Sequence, residues 1–257
     1  MKKYILLLIL ALTTSHASLS QNPYADFIRQ LDTLKKTKLK MTPIVREWQQ
    51  TDNQDPEKDY YIPQEAIAEY VACFDRLRLT LPDATVQCYY SYSRKGGQPY
   101  LVASPVSIDS LLNIGDISIR SVRDYAAEKF MVPAEDTPMA YFQYLIFKEY
   151  GNQFALYWHA LYGVKDILLQ LPGKKEGKKS ISLSSLLTIT DEALYEKSKS
   201  EGILPSVTMD DTHCHVTLFE SNHENVRKVH YRINRSEPWQ ITVVEEHVMA
   251  KKPAILY

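Results

Sequence analysis

Five of the seven histidines fall between positions 213 and 247: His213, His215, His223, His230 and His247. On a β-strand, side chains alternate between the two faces, so His213 and His215 project to one side. Cys214, Val216 and Leu218 then project to the other, apolar side. Requiring this strand and the next to bury the same face restricts the hairpin register. With Asn222-His223 as a two-residue turn, His215 stands directly opposite His230, at a Cβ separation of about 4.5–5.5 Å. Two imidazoles at that spacing can share a metal ion. With His213 and Glu220 nearby, the candidate ligand set for zinc or copper is His213, His215, His230 and Glu220. The plainer reading of the same pattern is a row of solvent-facing histidines on a sheet.

Other chemistry is thinner. The string His213-x-His215-x₄-Glu220 resembles the first metal-binding motif of the cupins over eight residues. Val207 and Arg227 stand where that motif carries glycines, and no Pro-x-Gly-x-x-His follows, so the cupin assignment is not carried over. Gly173 to Lys179 is one residue short of a phosphate-binding loop and has lysine at its hydroxyl position, which leaves a solvated loop. Cys88 and His159 can be nominated as nucleophile and base, but nothing in the sequence brings them together. Cys73 and Cys214 lie beside apolar stripes, where cysteine packs as a small hydrophobe. The acidic middle (Asp116, Asp124, Glu128, Glu135, Asp136 and Glu149) would serve a hydrolase only if two carboxylates faced each other.

The elements that must position these groups are read from periodicity. Tyr24 to Met41 and Pro63 to Leu79 are expected as helices, the second from its Ile67, Val71, Phe74 stripe. Thr85–Ser93 and Pro99–Ala103 form a hairpin through Gly96-Gly97. Three short helices follow over 106–112, 122–130 and 137–149, with a possible subdomain break near 131–138. The 153–161 stretch fits either type and is read as a strand because aromatic residues crowd it. A polar linker spans 49–59, and a helix spans 191–199, ending near Gly202. From residue 206 onward the chain reads as an antiparallel meander, with strands at 213–220, 226–234 and 239–247. Val229, Tyr231 and Ile233 alternate there with Lys228, His230 and Arg232. Helices grouped before a run of strands indicate an α+β fold.

The amino terminus carries the three parts of a secretory leader. Lys2 and Lys3 precede an apolar run from Tyr4 to Leu12, and small polar residues follow at 13–18. Nine helical residues rise only about 14 Å, too short for a hydrocarbon core of about 30 Å, so cleavage after Ala17 or Ser20 is expected. Removing residues 1–20 takes two lysines and no acid from 30 basic and 31 acidic residues, leaving a formal charge of −3. That balance disfavours nucleic acid as a partner. With no later stretch of membrane-spanning length, a soluble secreted or periplasmic bacterial protein of one α+β domain over 21–257 is expected. Its three cysteines permit one disulfide, and Cys73–Cys88 are the nearest pair. The function expected is a non-catalytic binding or assembly role toward a protein or surface glycan. A periplasmic hydrolase and a weak zinc or copper protein are the alternatives.

Overall fold

The computed structural model describes residues 22–40, 42–43, 60–93, 96–107, 124–171 and 188–252. The expected leader, 49–59 linker and 173–179 loop, Asp116 and most of the helix expected over 106–112 lie outside the described residues. The fold is α+β, with helices in the amino-terminal and middle parts and an antiparallel meander at the carboxyl end.

Helix α1 (Pro23–Thr37) begins where the Asn22 side chain accepts a hydrogen bond from the Ala25 amide at 2.9 Å, with proline in its first turn. Both features match helix-start chemistry. Its buried face is Ala25, Phe27, Ile28 and Leu31. Two residue pairs, β1 (Thr42–Pro43) and β2 (Tyr60–Tyr61), bridge the chain to helix α2 (Gln64–Ala72).

Helix α2 stops well short of the expected Leu79. Strand β3 (Leu77–Leu79) pairs instead with β6 (Met131–Pro133). The cause is a buried glutamine from a distant helix. Gln143 accepts from the Arg76 amide at 2.9 Å, and its Nε2 donates to the Cys73 carbonyl at 3.3 Å and to Asp75 Oδ1 at 2.9 Å. These bonds satisfy end groups that another helical turn would otherwise have satisfied.

Strands β4 (Thr85–Ser93) and β5 (Gly96–Ser104) form the expected hairpin, extended by β7 (Tyr157–Trp158). The 153–161 stretch is thus a two-residue strand leading into a 3₁₀ turn at His159–Gly163. The 122–130 helix is replaced by a 3₁₀ turn at Ala127–Lys129, because the backbone there is spent on neighbours. Ala126 bridges Val102, and the Thr80 amide donates to the Phe130 carbonyl at 2.9 Å.

Helix α3 (Pro138–Tyr150) is the centre of the molecule. Every residue from Ala140 to Phe147 is buried, as is Tyr150, so no face of this stretch is left to water. On one side Phe142 meets Tyr24 and Phe27, and Phe147 meets Phe74 edge-on with centroids 5.0 Å apart. On the other side its tyrosines reach the sheet and its corner. One cluster of buried residues runs from Phe27 through α3 to Ile233, so core residues on both sides of 131–138 pack together.

The carboxyl-terminal sheet has the order β10-β11-β12-β13-β9: Ser206–Met209, His213–Ser221, Asn225–Asn234, Ile241–Lys251 and Thr188–Ile189. Strand β8 (Asp166–Ile167) pairs with the end of β11 beside β10. The inner face carries Cys214, Val216, Leu218, Val229, Tyr231 and Ile233, all buried. The outer face is not uniformly wet. Phe219 and Met249 pack with Tyr195 of helix α4 (Glu192–Glu201) and with Ile203, forming a second small core. Helix α4 therefore covers one end of that face and leaves the histidine end open. Gly202, at φ +85°, lets the chain leave α4 in a conformation that side-chain-bearing residues avoid.

Candidate functional site

The open end of the outer face is where the histidines meet. Strand β10 turns into β11 through Asp210-Asp211-Thr212. Asp210 Oδ1 accepts from the amides of Thr212 and His213, each at 2.7 Å, and from the Thr212 hydroxyl at 3.0 Å. This is ordinary Asx-turn chemistry, and it leaves the second carboxylate oxygen free. That oxygen, Oδ2, lies 2.9 Å from His215 Nε2. The other ring nitrogen of His215, Nδ1, lies 3.2 Å from His230 Nε2, with ring centroids 5.3 Å apart and a 47° tilt.

An ionised carboxylate only accepts, so a neutral His215 carries its proton on Nε2 and offers Nδ1 as an acceptor. His230 then donates from Nε2. The result is a directed chain, His230 to His215 to Asp210. The hydrogen bond from His215, with the two turn amides, holds the Asp210 carboxyl well below the usual carboxylate range. Burial, then the neighbouring His215, lowers the His230 imidazole, while Glu245 opposes that and Lys228 and Arg232 reinforce it. Arg235 anchors the turn, donating from Nη1 to the Asp210 carbonyl and pairing through Nε and Nη2 with Asp136 at 3.0 and 2.5 Å.

The hairpin register differs from the expected one by two residues. Thr217 stands opposite His230 and Arg232 opposite His215, so the two histidines are diagonal neighbours. The turn is not the two-residue Asn222-His223. Asn222 Oδ1 accepts from the amides of Glu224 and Asn225, which makes a four-residue loop. A shift of two leaves every side chain on its predicted face, and the imidazoles still touch.

His213 shares their face but is tied to Thr212 Oγ1 through Nδ1 at 2.7 Å, with its ring 6.1 Å from that of His215. Glu220 does not join them, because period-two alternation sends it to the inner face, where it is fully buried. There Tyr150 donates to its Oε1, Tyr231 donates to the same oxygen at 2.5 Å, and Arg227 donates to Oε2 from Nε and Nη2 at 3.1 and 2.8 Å. Burial and the adjacent carboxylate push both tyrosine hydroxyls well above their ordinary range. Among the described residues, no group of three or more His, Cys, Asp or Glu side chains is arranged to hold a metal ion.

The nominated nucleophiles and acids are separated. All three cysteines are free, so Cys73 and Cys88 are not bridged. Cys73 ends α2 facing Gln30 of α1, while Cys88 sits mid-strand in β4. Burial pushes the Cys88 and Cys214 thiols up to about 12 and raises Cys73 as well. Such thiols are protonated and poor nucleophiles. The His159 side chain lies outside the described set. Among the described residues, the acids of the middle each have a partner of their own: Asp124 with Lys129, Glu128 with Asn152, Glu135 with Arg76, Asp136 with Arg235 and Glu149 with Lys165. An open groove of about 800 Å³ beside α2, lined by Val71, Phe74, Leu77, Val86, Val106 and Met131, has Asp75 as the ionisable residue among the described ones lining it.

Sequence reasoning missed Asp210. The signal was present in Asp-Asp-Thr, a turn-forming run five residues before His215. Among the described residues, no helix is long and apolar enough to cross a membrane. No protein-family model matches this chain, and no curated protein or solved structure matches it either.

Proposed function

We propose that this is an exported protein that acts by binding, without a covalent step, and that its binding face is the uncovered half of the carboxyl-terminal sheet. The observation that carries this reading is the linked Asp210–His215–His230 chain. It is partly exposed, at 53% for Asp210 and 28% for His215, and stands on strands whose other face is packed into the core. Ionisable groups fixed on a rigid scaffold recognise a polar ligand with little ordering cost. Arg232 and Lys228 on the same strand add positive charge, which suits an acidic protein segment or an anionic surface glycan. The protonated thiols and the separately paired carboxylates support binding over nucleophilic or two-carboxylate hydrolysis. Export rests on the leader.

The test is a backbone-amide NMR titration of the exported chain with phosphate, a sulfated oligosaccharide and an acidic peptide. Shifts confined to residues 208–217 and 228–234 support the reading. Shifts that cluster elsewhere, or hydrolysis of any probe, overturn it. Sequencing of the exported protein should begin at Ser18 or Gln21.

A further inference from the structure

We infer that His215 Nδ1 and His230 Nε2 form a two-imidazole site for a zinc- or copper-type divalent ion, with Asp210 as the positioning carboxylate. The inference rests on the binding reading above and names a ligand class for the same face. Its first support is distance. An ion bound tetrahedrally by two nitrogens at about 2.0–2.1 Å holds them about 3.3–3.4 Å apart. The observed separation is 3.2 Å, so the two nitrogens already stand at the spacing the ion needs, and each ring has only to turn its lone pair off the hydrogen-bond line.

Its second support is the far side of His215. A metal-bound imidazole usually gives its other N–H to a carboxylate, which fixes the ring and makes the ligating nitrogen more basic. His215 Nε2 has such a partner in Asp210 Oδ2, and Asp210 is itself pinned by two turn amides. On binding, His230 moves its single proton from Nε2 to Nδ1 through solvent, so both facing nitrogens present lone pairs. No net proton leaves a neutral pair in that step. Because Glu220 lies on the other face and His213 is held by Thr212, the protein supplies two ligands. Water or an incoming anion fills the remaining positions. An ion held in this way is open to a second ligand, which connects the metal to capture of a polar partner.

The experiment uses the exported, chelator-treated chain. Zn²⁺ is titrated by calorimetry at pH 7.5, and Cu²⁺ is examined by electron paramagnetic resonance. One ion per chain is expected, with copper hyperfine structure from two nitrogens. His215→Gln and His230→Gln should each abolish stoichiometric uptake, and His213→Gln should leave it unchanged. Asp210→Asn keeps the Oδ1 acceptor of the turn and should weaken binding by about 10–100-fold. Absent uptake, or uptake indifferent to the first two substitutions, overturns the metal site. If the phosphate or glycan titration still maps to this face, the binding reading survives that failure.

Discussion

At the scale of single residues, the sharpest energetic contrast is between two glutamates. Glu220 is fully buried and accepts from Arg227, Tyr150 and Tyr231. Glu220→Ala leaves Arg227, only 14% exposed, with Glu246 as its remaining carboxylate, and takes the acceptor from two buried hydroxyls. Removing one partner of a buried ion pair costs about 3–5 kcal/mol, and chemical denaturation should show a loss of that size. Glu69 pairs with Lys38 at the surface, both about half exposed, and Glu69→Ala should cost under about 1 kcal/mol. Lys35 gives a pH signature. It is half-buried beside a cavity of about 70 Å³ lined by Asp32, Tyr150, Gln153 and Asp166, and donates to the Tyr150 carbonyl at 3.4 Å. Burial lowers its ammonium to about 8 from 10.5, against the opposing charges of Asp32 and Asp166. Between those values the unfolded chain holds the proton that the folded chain has lost, so this group makes stability rise with pH across that window. Lys35→Met should flatten the rise between pH 8 and 10, as measured by denaturant midpoints.

At the scale of elements, α2 depends on α3 for its end. Gln143 supplies one acceptor and two donor bonds to the 73–76 segment, so Gln143→Met takes the partner from two partly buried backbone groups and from the Asp75 carboxylate. A loss of about 1–3 kcal/mol is expected, with the Arg76 amide exchanging faster by hydrogen-exchange NMR. This dependence also marks the limit of sequence reasoning. The Ile67–Val71–Phe74 stripe is visible in sequence, but a glutamine almost seventy residues away that ends the helix is not. Helices α1, α3 and α4 and the three long carboxyl-terminal strands were legible because local periodicity and caps fix them. The two-residue strands β8 and β9 carry too few residues for any period to register. At the site, the shared face of His213, His215 and His230 followed from alternation. The pairing of His215 with His230 in space followed too, although its register did not, because the Asn222 side chain makes a longer turn than a two-residue loop. The placement of Glu220 on the opposite face was available from the same alternation, since residues 213 and 220 differ by an odd number.

At the scale of the whole molecule, tyrosine is a strut more than a surface residue. Tyr70, Tyr141, Tyr144, Tyr150 and Tyr231 are all buried, and each hydroxyl reaches a carbonyl or carboxylate on another element. These five of the 18 tyrosines thus tie separate elements together across the core. The cysteines contribute no covalent tie. Alkylation of the purified protein under denaturing, non-reducing conditions should modify Cys73, Cys88 and Cys214 alike, as mass spectrometry would show. A product with one modified thiol would mean that two had been bridged. Under native conditions Cys214, fully buried on the inner sheet face, should be the slowest to react.

The β11–β12 hairpin has a consequence for which insertions and deletions the chain can carry. Which side chains face inward is held by what the two strands bury, because slipping by one residue would turn Cys214, Val216 and Leu218 out to water, while the loop selects among registers two residues apart. The loop is therefore the replaceable part. Deleting His223 and Glu224 leaves Asn222 and Asn225 as a two-residue turn, a residue pair that accepts the required positive φ. Ser221 would still pair with Val226, and His215 would still touch His230. A single residue inserted into β11 between Val216 and Leu218 has no such refuge. Everything on one side of it changes faces, so lineages descended from this sequence should vary in length at the loop and stay constant within the strand.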